Sequence, residues 1–322
     1  MTTPTTIRPF RFGVLGERAT TTEALTGTAR RAEELGYSTF LLRDHFIREP
    51  FGDQLAPMVA LTAAALATRT LRVGTVVLAN DYRHPVMLAK EVATLDVLSG
   101  GRFELGLGAG WLREEYDRAG MPFDPAGRRV DRLEESLLVL KGMLSGEPLD
   151  FDGKQYTITS LSTFPTPHQR PHPPIQIGAG SRRMLRLAGR EADTVGVLPR
   201  ALAEGTISEE LSERTAETIA GKVAAIREGA GRRFGDVELS MVVSPVIADD
   251  VAEAALRYTE AHGWPEAAVP EVLDMPPVFL GPIEHIAERM HDRRARFGFS
   301  YYIVPDALME DFAPVVASLS GR

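Results

Sequence analysis

The run Leu71–Leu107, LRVGTVVLANDYRHPVMLAKEVATLDVLSGGRFELGL, decides the fold. Leu71 to Leu78 is rich in β-branched residues and reads as a buried strand. Pro85 suits the first turn of a helix that runs to Leu98, because its missing N–H costs nothing there. Gly100 and Gly101 stop that helix, and Phe103 to Leu107 reads as the next strand. A strand, a helical crossover and a second strand with no hairpin turn between them are the signature of parallel pairing.

Working outward, the alternation repeats in both directions. Phe10 to Leu15 reads as a strand, followed by a helix to Leu35 with Gly36 as its stop. Thr39 to Arg43 is the next strand, followed by a loop carrying Asp44 and His45 and a helix near Pro57 to Ala67. On the C-terminal side, Val130, Leu133, Leu137, Leu140 and Leu144 recur at three- and four-residue spacing, so Arg129 to Leu144 is expected to be a helix with one inward face. Gly146 to Pro174 breaks the pattern. Its FPTPHQRPHPP stretch excludes a helix, and the segment reads as an insertion or active-site loop. Then come strand Ile175 to Ile177, helix Ser181 to Gly189, strand Thr194 to Val197, helix Glu209 to Glu228 and strand Glu238 to Val246. Helices after Asp249 and after Pro282, strand Tyr301 to Val304 and a helix from Asp306 to Leu319 complete the chain. Eight strands separated largely by helices predict an α/β fold, a (β/α)8 TIM barrel with insertion loops, spanning residues 1–322 as a single domain; an open doubly wound sheet is the alternative.

Composition bounds the function. With 44% hydrophobic and 25% charged residues the chain can bury a sizeable core, and a net charge of −8 disfavours nucleic acid and anionic membranes as partners. There are no cysteines, which excludes disulfides, thiolate metal sites and cysteine nucleophiles. Met1 to Arg8 is Thr-rich and lacks a signal peptide's apolar core, and no apolar run approaches a membrane span, so the expected location is the cytoplasm. Neither an HExxH pair nor a GxSxG elbow occurs, and no metal is expected.

Two glycine clusters fall at strand ends. Gly106, Gly108 and Gly110 are spaced so that backbone can approach a flat ligand, although as a nucleotide fingerprint GLGAGW is weak. Gly178, Ala179, Gly180 and Ser181 precede a helix whose free N–H groups would suit a phosphate, the plain reading being a serine N-cap. Arg182 or Arg183 could add charge to that seat.

Several segments together resemble the luciferase-like monooxygenase superfamily, especially its branch using the deazaflavin coenzyme F420. They are LLRDHF (Leu41 to Phe46), GTVVLANDYRHP (Gly74 to Pro85), LDVLSGGRFELGLGAGW (Leu95 to Trp111), PIQIGAGSRR (Pro174 to Arg183) and the tail GPIEHIAERM with FGFSYYIV. The resemblance implies a cofactor ring at the strand C-termini. It places Asp44 and His45 beside the ring as catalytic candidates, with Asp44 also touching cofactor, while a loop-anchoring pair is the bland alternative. Val77, Leu78, Ala79 and Asn80 would back the ring through a non-proline cis peptide at Val77-Leu78. Gly108, Ala109, Gly178, Ala179, Gly180 and Ser181 would hold the remainder of the cofactor, and Trp111 would wall the substrate pocket. A catalytic glutamate that the superfamily's sugar-phosphate dehydrogenases carry near the Trp111 position is absent, so glucose 6-phosphate oxidation is not expected. The implied activity is hydride transfer between F420 and a small organic substrate in a homodimer joined near the second and third helices. An FMN-dependent monooxygenase using reduced flavin and oxygen is the alternative, and a non-catalytic cofactor-binding protein the third reading.

Overall fold

The computed structural model describes residues 8–322; most of the Thr-rich segment in which no signal peptide was read lies outside them. Eight parallel strands close a barrel: β1 Arg11–Leu15, β2 Thr39–Leu42, β3 Arg72–Thr75, β4 Phe103–Gly108, β5 Ile175–Ala179, β6 Thr194–Val197, β7 Glu238–Val242 and β8 Phe299–Pro305. Each pairs with its neighbour in sequence, and β1 closes on β8 with Gly13 opposite Ile303. This is the TIM barrel expected, and the open sheet is excluded by that closing pair. The helices are α1 Thr22–Glu34, α2 Pro57–Ala67, α3 Pro85–Leu98, α4 Arg113–Ala119, α5 Ala126–Ser145, α6 Arg182–Glu191, α7 Ala216–Ala230, α8 Val251–Ala261, α9 Val269–Asp274, α10 Ile283–Phe297 and, after the last strand, α11 Met309–Leu319.

Three differences from the sequence reading have local causes. The third strand stops at Thr75 instead of Leu78, because the chain leaves the ladder in a bulge and rejoins it as Leu78–Ala79. The seventh strand stops at Val242; Val246–Ile247 pairs instead with Leu280–Gly281 outside the barrel. The helix read from Glu209 begins only at Ala216, where the Thr215 hydroxyl accepts the Thr218 N–H as its N-cap. The short helix α4 was not anticipated, since REEYDRA has no apolar periodicity.

Alternate strand residues divide two cores. Phe12, Val14, Phe40, Val73, Leu105, Ile177 and Val304 face the helices and are buried, each contributing roughly 1.5–3 kcal/mol by leaving water. The barrel interior is different. Near the strand N-termini Arg11 bridges Glu104 (2.8 Å) and Glu238 (2.6 Å), Arg72 also holds Glu104, and the Arg11 guanidinium lies over the Tyr301 ring at 3.7 Å. Burial alone would raise the Glu104 carboxyl, but the Arg11 and Arg72 charges outweigh it and hold the carboxyl below the usual range. The polar plug seals that end. Toward the strand C-termini the interior turns apolar, with Leu15, Leu41 and Ile303 buried and Val76 and Val242 half-buried over them.

The segment after α5 is divided. Leu149–Asp152 and Thr157–Leu161 form an antiparallel hairpin, whereas Gln169 is fastened to the N-terminal end of the barrel by Asp96, Arg72 and the Phe103 carbonyl. The Pro/His-rich part is therefore a structural strap on the face opposite the strand C-termini. No helix among the described residues is long and apolar enough to cross a membrane.

Candidate active site

The bulge after β3 is the floor's most distinctive feature. The non-proline cis peptide is Val76-Val77, one residue earlier than the Val77-Leu78 position expected from the resemblance. Leu78 and Ala79 then pair with Leu107 and Gly108 of β4. A Cβ on Gly106 would lie 1.9 Å from the Thr75 carbonyl oxygen, and one on Gly108 would lie 2.9 Å from Val77 Cγ2. A Cβ on Gly178 would also crowd Val77, at 3.3 Å. Gly106 and Gly108 thus make room for the bulge itself. Gly110 serves a third purpose: at φ +76° it leaves space for the Tyr116 hydroxyl, which a Cβ would meet at 1.9 Å.

Asp44 is buried immediately after β2. Both its oxygens accept from Arg83 (2.5 and 2.9 Å), and Oδ2 also accepts the Ala79 N–H at 3.1 Å. The ion pair raises the Arg83 pKa although burial alone would lower it. Asp44 therefore ties the β2 loop to the bulge segment, which is the anchoring geometry of the plainer reading.

His45 is held differently. Its Nδ1 lies 3.2 Å from Glu115 Oε2 on α4, its ring centroid is 4.8 Å from that of Phe51, and Trp111 meets it edge-on at 5.9 Å. Nε2 has no hydrogen-bond partner among the described residues. His45 and Trp111 are thus brought together at the strand C-termini, and Phe51, which sequence reading missed, joins them. Glu115, also missed, is almost fully buried and accepts from the Phe46 and Ile47 N–H groups and the Tyr82 hydroxyl as well as facing His45. Burial would raise its pKa, but the bonds from His45, Phe46 and Tyr82 bring it below the usual carboxylate range. A glutamate four residues beyond Trp111 on an acidic stretch gave no periodic signal. Its only sequence clue was acidity in the first turn of a helix.

The β5 end supplies the second part of the site. Ser181 accepts the Met184 N–H at 3.4 Å as the N-cap of α6, the plain reading of that serine. Gly180 is packed against the Pro199 carbonyl, which a Cβ would strike at 2.3 Å. Arg182 pairs with Glu228 and Arg183 with Asp131, so both arginines have partners. Next to this turn, a cleft of about 370 Å³ opens between α6 and α7, lined by Gly180, Arg182, Thr218 and Lys222.

On the other flank, Asn80 is buried with both its side-chain oxygen and nitrogen unpartnered among the described residues. It lines a cleft of about 320 Å³ together with Tyr82, Tyr116, Arg132 and Tyr156. Ala79 and Ala109 are half-buried on adjoining strand ends, and Leu78 and Ala179 are buried. A half-buried apolar floor at Val76 and Val77, an orphaned amide at Asn80 and a helix N-terminus at Ser181 fit a flat ring carrying polar edges and an anionic tail. Among the described residues no group of three or more His, Cys, Asp or Glu is placed to hold a metal ion.

Comparison with known proteins agrees with this architecture. An F420-dependent glucose-6-phosphate dehydrogenase of Microbacterium testaceum (strain StLB037) is 34% identical over 165 residues, 50% of this chain and 48% of that protein. An FMNH(2)-dependent dimethylsulfone monooxygenase of Pseudomonas putida is 32% identical over 166 residues, 51% of this chain and 46% of that protein. These alignments span about half the length of the curated relatives. The structure of coenzyme F420 dependent tetrahydromethanopterin reductase from Methanopyrus kandleri superposes with a TM-score of 0.75, covering 97% of this chain and 99% of that one; at 20% identity the likeness is one of fold. A family model described as luciferase-like monooxygenase matches residues 6–312. With that match running through barrel, bulge and helix N-terminus alike, the chain belongs to the luciferase-like monooxygenase family.

Proposed function

We propose that this enzyme transfers a hydride between coenzyme F420 and a small organic substrate, with His45 exchanging the accompanying proton. The observation that carries the reading is His45 itself, held at the barrel mouth beside Trp111 with Nε2 free of partners among the described residues. When bound, the deazaflavin supplies the carbon that accepts or gives the hydride. The chain's own residues do the rest. The bulge at Val76 and Val77 backs a flat group, Trp111 and Phe51 exclude water over it, and Asp44 keeps the β2 loop against the bulge through Arg83 and Ala79. With an alcohol as substrate, His45 Nε2 would take up the O–H proton and become an imidazolium, and in the reverse direction it would return that proton. Leu78, Ala79, Asn80, Gly108 and Ala109 would border the ring, and Gly178, Ala179, Gly180 and Ser181 would receive the phosphate-bearing side chain.

Glu115 has its acceptor positions taken by neighbouring donors and is not free for a substrate hydroxyl. The glucose 6-phosphate activity of the Microbacterium relative is accordingly not carried over. The relative from Pseudomonas, named as FMNH(2)-dependent, supports a second reading, a monooxygenase using reduced flavin and oxygen. Titration of the purified protein with F420, FMN and riboflavin by fluorescence distinguishes the two. Tight binding of F420 over FMN supports the hydride-transfer reading. Preference for FMN moves the chain to the monooxygenase reading, and binding of none overturns both. A loss of affinity from FMN to riboflavin tests the phosphate seat.

The same reading includes a homodimer packed through α2 and α3. PMVALTAAALA is apolar on every side, yet Val59 (75%) and Leu66 (68%) are exposed, and Met87, Val97 and Leu98 of α3 are exposed as well.

A further inference from the structure

We infer that Glu115 fixes the proton of His45 on Nδ1, leaving Nε2 as the atom of this histidine that accepts a proton; the second clause rests on the oxidoreductase reading above, the first does not.

The argument is one of acceptor capacity. A carboxylate offers two oxygens and roughly four lone-pair positions, and it donates nothing. In Glu115 Oε1 takes the Phe46 and Ile47 N–H groups, the latter at 3.3 Å, and Oε2 takes the Tyr82 hydroxyl at 2.8 Å. The backbone N–H groups can only donate, so Oε1 must remain an acceptor. His45 Nδ1, 3.2 Å from Oε2, meets an ionised oxygen and must present an N–H to it. The Nε2-protonated tautomer would set a lone pair against a buried carboxylate. A ring flip would replace the bond with a carbon, and Phe51 and Trp111 pack against the ring that would have to turn. In a neutral imidazole one nitrogen donates and the other accepts, so a proton fixed on Nδ1 makes Nε2 the acceptor. Glu115 is therefore a positioning residue. It acts on the imidazole and on the N–H groups of the loop that carries it.

A consequence separates this role from simple loop anchoring. In Glu115→Gln the amide oxygen must stay with the Phe46 and Ile47 N–H groups, since an NH2 there would face two donors. The NH2 is then forced to the Oε2 position, where it donates to Nδ1. The substitution should move the histidine proton from Nδ1 to Nε2 with little change in the packing.

The test uses the cofactor-free protein. The 15N shifts of the His45 ring are recorded through a pH series up to about 9, above the ordinary histidine range, and assigned by their loss in His45→Asn. The expected result is a Nδ1–H imidazole in the wild type, an exchange of the two nitrogen shifts in Glu115→Gln, and a retained Nδ1–H form in Tyr82→Phe, which keeps the carboxylate. A wild-type Nε2–H ring, a ring protonated on both nitrogens throughout, or the same tautomer in wild type and a folded Glu115→Gln would overturn the proposal. If Glu115→Gln does not fold, the wild-type and Tyr82→Phe spectra still decide the first clause. Because no cofactor is present, failure here leaves the F420 and FMN titration untouched, and failure of that titration leaves the tautomer result standing.

Discussion

Val77 is seated over Gly108, with Val77 Cγ2 only 2.9 Å from where a Cβ on that glycine would stand. Strand β4 is thus cut away where the β3 bulge needs space, and the shape of the proposed ring-backing surface is set by a missing methyl group.

Gly108→Ala is therefore expected to push Val77 toward the mouth. The overpacking should cost about 1–3 kcal/mol in urea denaturation, and cofactor affinity should fall further than stability alone explains. Gly27→Ala is the contrast. A Cβ at Gly27 meets nothing within 4 Å on α1, and the substitution should stabilise by about 0.5–1 kcal/mol without altering binding.

Removing Arg83 strands the buried Asp44 carboxylate. Arg83→Ala should destabilise the protein by roughly 3–5 kcal/mol, the cost of an uncompensated buried charge. Replacing Asp44 and Arg83 together should cost less than the sum of the two single changes. A fully additive double-mutant cycle would remove Asp44 from its anchoring role.

His45→Asn keeps a polar side chain at the mouth but removes the proton acceptor. Cofactor affinity should change little, whereas turnover of whichever substrate the enzyme accepts should fall by about 10²–10⁴-fold, the usual contribution of a positioned acid–base group. Unchanged turnover would assign the proton transfer elsewhere.

Acid sensitivity should have one identifiable contributor on the opposite face. Glu33 of α1 accepts the N–H groups of Arg69, Thr70 and Leu71 at 2.9, 2.6 and 2.8 Å; burial opposes ionisation, but these bonds win and bring the carboxyl down to about 2. A depressed folded-state pKa contributes stability that is complete above the unfolded value of 4.5 and is lost as pH falls toward about 2. Glu33→Gln should lower stability at neutral pH and flatten the stability curve across that interval. An unchanged slope there would show that the carboxylate is not the source.

If α2 and α3 form an interface, Val59→Glu with Leu66→Glu should convert a dimer to a folded monomer in sedimentation velocity. Charge on two exposed positions costs the monomer little but would be buried at the interface. A wild type that already sediments as a monomer removes the interface.

The barrel was legible because its causes are local. Strand β6, Thr194–Val197, was read to the residue, and α3 to both ends, since Pro85 and the Gly100-Gly101 pair state where a helix can begin and stop. Motif resemblance singled out His45 and Trp111, whose rings the structure brings together. The sequence by itself thus determined the β/α order and the strand ends at which the candidate residues fall, while the closing β1–β8 pair decided between barrel and open sheet. Only the tertiary structure decided what those residues do to one another: that Asp44 is consumed by Arg83, that the glycines of β4 accommodate a bulge at Val76-Val77, and that Glu115 gathers donors from the β2 loop and Tyr82. Periodicity records which face of an element is buried. It cannot record which hydrogen-bond donors from distant segments will fill the lone pairs of one carboxylate, because that depends on how several loops meet in space.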